Sequence, residues 1–184
     1  MITFTDALIF VANAHKGQTD IQGQEYIHHP VRIAYRLREK GYDINYQILA
    51  LFHDILEDTP TTTSDLIAMG VPIDVIDALK LLTHKKNRPV IRHVSDFFGS
   101  YSGIHKSSMA NAAEYIYRYI APIAESKNIM AITVKLEDLA DNKDPNRMDE
   151  HAKDVKYHNR MAKYELATKI LTDALNSLTD TIAR

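Results

Sequence analysis

A chain of 184 residues with a formal net charge of −2 is long enough for one domain with a sizeable core, and it carries no general basic field for nucleic acid or an anionic membrane. The absence of cysteine excludes disulfides and thiolate zinc sites, so any metal site must draw on carboxylates and the nine histidines. The longest apolar runs fall far short of the roughly 20 residues that a bilayer span needs.

The N-terminal stretch MITFTDALIFVANAH has no basic start and places Asp6 inside its apolar run. It reads as a first amphipathic helix over about residues 4–16, not a signal peptide, with Thr3 or Thr5 as cap. Without a secretory signal the expected compartment is the cytoplasm. The segment 17–27 reads as a loop with two glycines. A second helix is expected from His29 to about Lys40, with Pro30 in its first turn and Gly41 at its C-terminal cap. Asn45 caps a third helix that runs on until Pro60 stops it. A short fourth helix ends at Gly70, and a fifth covers Pro72 to Leu82. The pattern weakens from His84 to Ser107, where a short helix near 90–98 is expected. Helices then follow over Ser108–Ala124 and Lys127–Asn142, a turn over 143–146, and a long last helix over about 148–178. No strand signal is strong enough for a sheet. The class is all-α, with residues 1–184 in a single domain.

The end of the third helix, LFHDILEDTP (51–60), is chemically odd. On a continuous helix His53, Glu57, Asp54 and Asp58 lie at about 0°, 40°, 100° and 140°, less than half the circumference. Acids in a last turn face the negative end of the helix dipole, a loss of roughly 0.3–1 kcal/mol each. A divalent cation bound by His53 and Asp54 would offset both this and their mutual repulsion. Two further stretches offer partners. EYIHHP (25–30) holds His28 and His29, between which spacing does not choose. VKLEDLADNKDP (134–145) holds Glu137, Asp138 and Asp141. With Lys135 at 0°, Asp138 lies at about −60° and Asn142 at about −20°, flanking the apolar arc, while Glu137 and Asp141 lie at about 200° and 240°. Asp138 is therefore expected to point inward, with Lys135 or a nearby arginine as the bland explanation of its partner, and Glu137 and Asp141 to face water.

In this order, HxGQ (15–18), YIHHP (26–30), HDILEDT (53–59) and VKLEDLADN (134–142) resemble the HD-domain metal phosphohydrolases, most closely the Rel/SpoT-type alarmone hydrolases and their small stand-alone members. The resemblance covers about residues 8–165. It implies an all-helical HD-domain bundle and one divalent metal, typically manganese, held by His29, His53, Asp54 and Asp138. It implies that Glu57 and Asp58 organise or deprotonate the attacking water, and that Asn142 contacts the nucleotide. The implied reaction is removal of pyrophosphate from the 3′ position of a (p)ppGpp-type alarmone. One position departs from the family pattern. Where the family carries an arginine that packs on guanine, this chain has Asp20. Adenosine 3′-pyrophosphates therefore stand beside guanosine ones as expected substrates. A nucleotidase or triphosphohydrolase, and an inactive nucleotide-binding domain, are the alternatives.

Positive charge for the phosphates is expected from HKKNRPVIRH (84–93), specifically Lys85, Lys86 or Arg88, and from Lys135, with Arg147 as a weaker candidate. His15 is expected to brace its loop. His84, His93, His105, His151 and His158 are given no site role. The expected partner is a small nucleotide, with homo-oligomerisation left open.

Overall fold

A computed structural model describes residues 2–84, 109–147 and 154–182. Ten α-helices are described: α1 (Phe4–Ala14), α2 (His28–Glu39), α3 (Ile44–Phe52), α4 (Ile55–Asp58), α5 (Thr63–Ala68), α6 (Ile73–Leu82), α7 (Met109–Tyr115), α8 (Ala121–Glu125), α9 (Ile129–Asn142) and α10 (Val155–Ile182). A π turn, Ile116–Ile120, joins α7 to α8. Its register bond runs from the Ala121 N–H to the Ile116 carbonyl, directly before Pro122, a residue with no N–H to continue the α ladder. Among the described residues no strand forms, and one bridge pairs Thr19 with Glu25. None of the described helices is long and apolar enough to cross a membrane. The all-α expectation therefore holds.

Local chemistry explains most helix ends. Thr3 and Asp6 form a reciprocal capping box on α1, and Thr62 and Asp65 form one on α5. The cap of α3 is Asp43, not the expected Asn45: its carboxylate accepts from the Asn45 and Tyr46 N–H groups. Asn128 caps α9, which starts two residues later than the pattern suggested, after Lys127 at φ 56°. Gly41 takes φ 81° beyond α2, as a C-terminal cap requires.

The expected single helix over LFHDILEDTP is broken. α3 stops at Phe52 and α4 begins at Ile55, with His53 and Asp54 in the turn between them. The Ala50 carbonyl, which an unbroken helix would spend on the Asp54 N–H, accepts instead from His53 Nδ1 at 2.8 Å. The histidine itself interrupts the ladder.

The core gathers around α9. Nine of its residues are buried, and it packs against α2, α3, α6, α8 and α10. Phe52, Ile33, Leu37, Leu49, Ile76 and Leu79 are among the fully buried side chains around it. Between its ends, its exposure is confined to a strip at Leu136 and Ala140, so the side that carries Glu137 and Asp141 is covered. The expectation that Glu137 and Asp141 face water is therefore wrong: both are buried, Asp141 completely. They meet α2, whose Arg32, Arg36 and Lys40 recur every fourth residue and so share one face. Lys40 pairs with Glu137, Arg32 and Arg36 with Asp141, and Arg36 also with Asp144. Lower numbers on α2 meet higher numbers on α9, so the two helices run antiparallel.

The cap assignment is directly testable. Asp43→Ala should cost about 1 kcal/mol in urea unfolding. Asn45→Ala should cost clearly less, and equal losses would count against Asp43 as the cap.

Candidate metal centre and its cavities

His29, near the start of α2, is buried, whereas His28 is exposed. His53 reaches the same place from the α3–α4 break and Asp138 from the middle of α9. One ligand atom from each of His29, His53 and Asp138 lies within 4.8 Å of the others. His29 Nε2 is 3.1 Å from Asp138 Oδ1, and His53 Nε2 is 3.7 Å from the same oxygen. Asp54 Oδ2 approaches His53 Nε2 to 2.9 Å, and the Tyr26 hydroxyl donates to that oxygen.

The protonation logic of this cluster points to a cation. His53 Nδ1 donates to the Ala50 carbonyl, so in the neutral ring Nε2 presents its lone pair to the cluster; that buried nitrogen has no hydrogen-bond partner, and against the effect of burial the facing Asp54 and Asp138 raise its affinity for positive charge. His29 Nδ1 lies 2.7 Å from Asp141 Oδ2 and donates to it, which turns the His29 Nε2 lone pair the same way. Two lone pairs then converge with the Asp138 carboxylate, while Asp54, also expected as a ligand, stands beside His53 and outside this group of three. A divalent ion fits this donor set of two nitrogens and carboxylate oxygen, and the partners on the far side of each imidazole are those that metal-binding histidines use.

Charge around the cluster is strongly ordered. Burial disfavours ionised Asp138, but the Lys135 ammonium at 2.6 Å holds its carboxyl well below the usual range. Lys135 is itself held well above its ordinary value by Asp138 and lies over the Tyr119 ring, 4.5 Å from the centroid. Lys135 thus sits on a site acid, one of the two roles expected for it. Asn142 Nδ2 donates to Asp138 Oδ1 at 2.6 Å. Asp141 is also kept below the usual carboxylate range, since His29, Arg32 and Arg147 outweigh its burial.

Glu57 and Asp58, in α4, stand at the rim, and both carboxyls are raised by burial and by the neighbouring Asp54. Glu57 Oε2 accepts from the His84 N–H at 3.0 Å. Asp58 is held through its backbone: its carbonyl accepts from Gln18 Nε2 at 2.8 Å, and Gln18 Oε1 lies 2.7 Å from His15 Nδ1. HxGQ is thus a brace between the first loop and α4, the role expected for His15. The buried His15 ring also stacks on Tyr26, which in turn packs against His29.

Two cavities open beside the cluster. The larger, about 310 Å³, is walled by Tyr26, His29 and Asp54 and carries Arg147, Arg160 and Asp20. The smaller, about 200 Å³, carries Glu57, His84 and Lys135 beside Tyr115 and Tyr119. Asp54, Asn142 and Tyr164 belong to both, so the cavities meet at the cluster. Asp20 Oδ1 accepts from the Gln22 and Gln24 N–H groups, while Oδ2 lies 3.5 Å from Arg147 Nη2. Lys85, Lys86 and Arg88 lie outside the described residues.

Sequence reasoning missed Asp141, Tyr26, Arg160 and Tyr164. The first had a usable signal: the cationic ladder Arg32-Arg36-Lys40 matches an acidic ladder Glu137-Asp141 at the same spacing. Arg160 and Tyr164 lie one turn apart on α10 in a segment whose composition marks nothing.

No family model matches the chain. It is 31% identical over 142 residues to the probable guanosine-3′,5′-bis(diphosphate) 3′-pyrophosphohydrolase of Mycoplasma pneumoniae, covering 75% of this chain and 17% of that protein. It is 43% identical over 60 residues to the bifunctional (p)ppGpp synthase/hydrolase SpoT of Escherichia coli, covering 33% of this chain and 8% of SpoT. The chain thus spans less than a fifth of either relative. A solved structure of a metazoan ortholog of SpoT, described as hydrolysing ppGpp, superposes with a TM-score of 0.62 at 18% identity, covering 97% of this chain and 94% of that one, so the fold is shared.

Ligand binding to the folded cluster must raise stability. At a hundredfold excess of Mn²⁺ over its dissociation constant the gain is about 2.7 kcal/mol. Calorimetry should show a rise in Tm that a chelator reverses and that is lost in His53→Ala. A Tm indifferent to Mn²⁺ would rule the ion out.

Proposed function

We propose that this relative of the SpoT-type pyrophosphohydrolases is a metal-dependent phosphohydrolase that removes pyrophosphate from nucleotide 3′-pyrophosphates of the (p)ppGpp or (p)ppApp type. The observation that carries the reading is the convergence of two imidazole lone pairs and carboxylate oxygen beside a cavity that holds two arginines. His29, His53, Asp54 and Asp138 are the proposed ligands, and Mn²⁺ suits their mixed nitrogen and oxygen donors. When bound, such an ion polarises a phosphoryl oxygen and makes a water easier to deprotonate.

The chain's own residues supply the rest. Glu57 faces the smaller cavity with Asp54 and Asp138, and its raised proton affinity suits it to take the proton of the attacking water. The His84 N–H holds Oε2 and leaves Oε1 for that proton. Asp58 lines neither cavity, so the proton-accepting role falls to Glu57, with Asp58 adding negative charge beside it. Lys135 has Asp138 as its partner, and its assigned task is to keep that acid ionised and in place. Asn142 spends its amide N–H on Asp138 and keeps its carbonyl for a ligand at the junction of the cavities. Arg147 and Arg160 provide the countercharge for the nucleotide's phosphates in the larger cavity.

Asp20 favours keeping a second reading. A carboxylate in the larger cavity accepts hydrogen bonds and repels phosphate, so the base recognised there differs from one stacked on an arginine. The same centre acting on a nucleoside mono- or triphosphate is the alternative.

Incubating the protein and Mn²⁺ separately with ppGpp, ppApp, dNTPs and NMPs decides between them. Pyrophosphate released from a 3′-pyrophosphate is the expected result, and phosphate or triphosphate release from the other nucleotides alone would replace it with the second reading. His53→Ala should abolish turnover. Glu57→Gln should lower kcat by about 10²–10⁴ while leaving Mn²⁺ binding in place. Asp20→Arg should shift the ratio of kcat/KM values toward the guanosine substrate, and an unchanged ratio would mean that this loop does not read the base.

A further inference from the structure

We infer that Asp141 is a positioning residue that locks His29 in the tautomer whose Nε2 lone pair faces the metal position. The inference rests on the metal-site reading above.

The two candidate imidazole ligands are oriented by different devices. His53 is held by a main-chain carbonyl, that of Ala50. His29 is held by a side chain, and that side chain has no freedom. The Asp141 carboxylate is completely buried. Its Oδ1 accepts from Arg32 Nε at 2.9 Å and lies 3.1 Å from Arg36 Nη1. Its Oδ2 accepts from Arg32 Nη2 at 3.0 Å, Arg147 Nη1 at 2.6 Å and His29 Nδ1 at 2.7 Å. Guanidinium groups only donate, so all three arginines need the carboxylate as an acceptor and hold it ionised. An ionised carboxylate has no proton to give to His29, which leaves one arrangement for the neutral ring: Nδ1–H toward Asp141 and a lone pair on Nε2. A ring flip would break that bond, and the ring stands between Tyr26 and His53, with centroids at 5.7 and 5.1 Å.

The same donor geometry makes Asp141→Asn an informative change. With its oxygen in the place of Oδ1, where Arg32 Nε and Arg36 donate, the amide sets its NH₂ in the place of Oδ2, facing His29, which can satisfy it only by offering Nδ1 as an acceptor. The ring proton moves to Nε2 and points an N–H at the ion. The variant is nearly isosteric with the wild type, so its effect on the ring is chemical and not a matter of shape.

The test uses ¹⁵N NMR of the full-length, metal-free protein under alkaline conditions that keep imidazoles neutral, with isothermal titration of Mn²⁺ alongside. The wild type should carry the His29 proton on Nδ1. Asp141→Asn should carry it on Nε2 and bind Mn²⁺ about 10–100-fold more weakly, the usual cost of losing a ligand's orienting partner. A variant that only melts earlier, with tautomer and Mn²⁺ affinity unchanged, would reduce Asp141 to a structural ion-pair residue and overturn the inference. If Asp141→Asn does not fold, the wild-type spectrum still decides, because a His29 proton on Nε2 overturns the lock without any variant. A wild type that binds no Mn²⁺ overturns the metal-site reading itself, an outcome distinct from Mn²⁺ binding that is indifferent to Asp141.

Discussion

The contact on which the rest of the molecule depends is the charged seam between α2 and α9. A helix enclosed along most of its circumference would normally be apolar over the enclosed part. This one carries Lys135, Glu137, Asp138 and Asp141 into the interior, and each is answered by an opposite charge or an imidazole. Removing the cations strands buried carboxylates, whereas removing an acid leaves partly exposed cations to water, so the first change is the costlier one. The seam therefore fixes the register of α2 against α9. Register in turn decides whether His29 and Asp138 meet.

Much of this was legible in the sequence, for identifiable reasons. Helical periodicity and the Gly41 and Thr3 signals located the early helices, because caps and apolar spacing are local properties. Asp138 could be chosen from three acids by phase alone, since it flanks the apolar arc of its own helix. The same reasoning failed for Glu137 and Asp141. A helical wheel assigns the polar side to water, and it has no means of knowing that a second polar face will cover that side. The break at His53–Asp54 was also invisible, because it arises when a side chain captures a carbonyl that propensity assigns to the helix. His29 could be separated from His28 only by motif, and burial now gives a physical reason for the same choice.

The comparison proteins add an independent line. The chain shares its fold with a metazoan ortholog of SpoT at an identity too low to transfer individual roles, and it matches short parts of longer bacterial proteins more closely. What the geometry contributes is a division of labour inside the site. Tyr26, Asn142 and Lys135 attend to Asp54 and Asp138, while Asp141 and Ala50 attend to the two imidazoles. Asp20 lies beyond Arg147, outside this arrangement, which is why it can differ without disturbing the donors.

The chain separation of the converging donors has a consequence for biogenesis. His29 and His53 emerge from the ribosome early, whereas Asp138 and Asp141 follow about a hundred residues after His29. Until α9 is made, the early histidines lack both the carboxylate they converge on and the buried acid that orients one of them. On the proposed ligand set, a nascent chain has no complete pocket for an ion, and the donors come together only with the docking of a single helix.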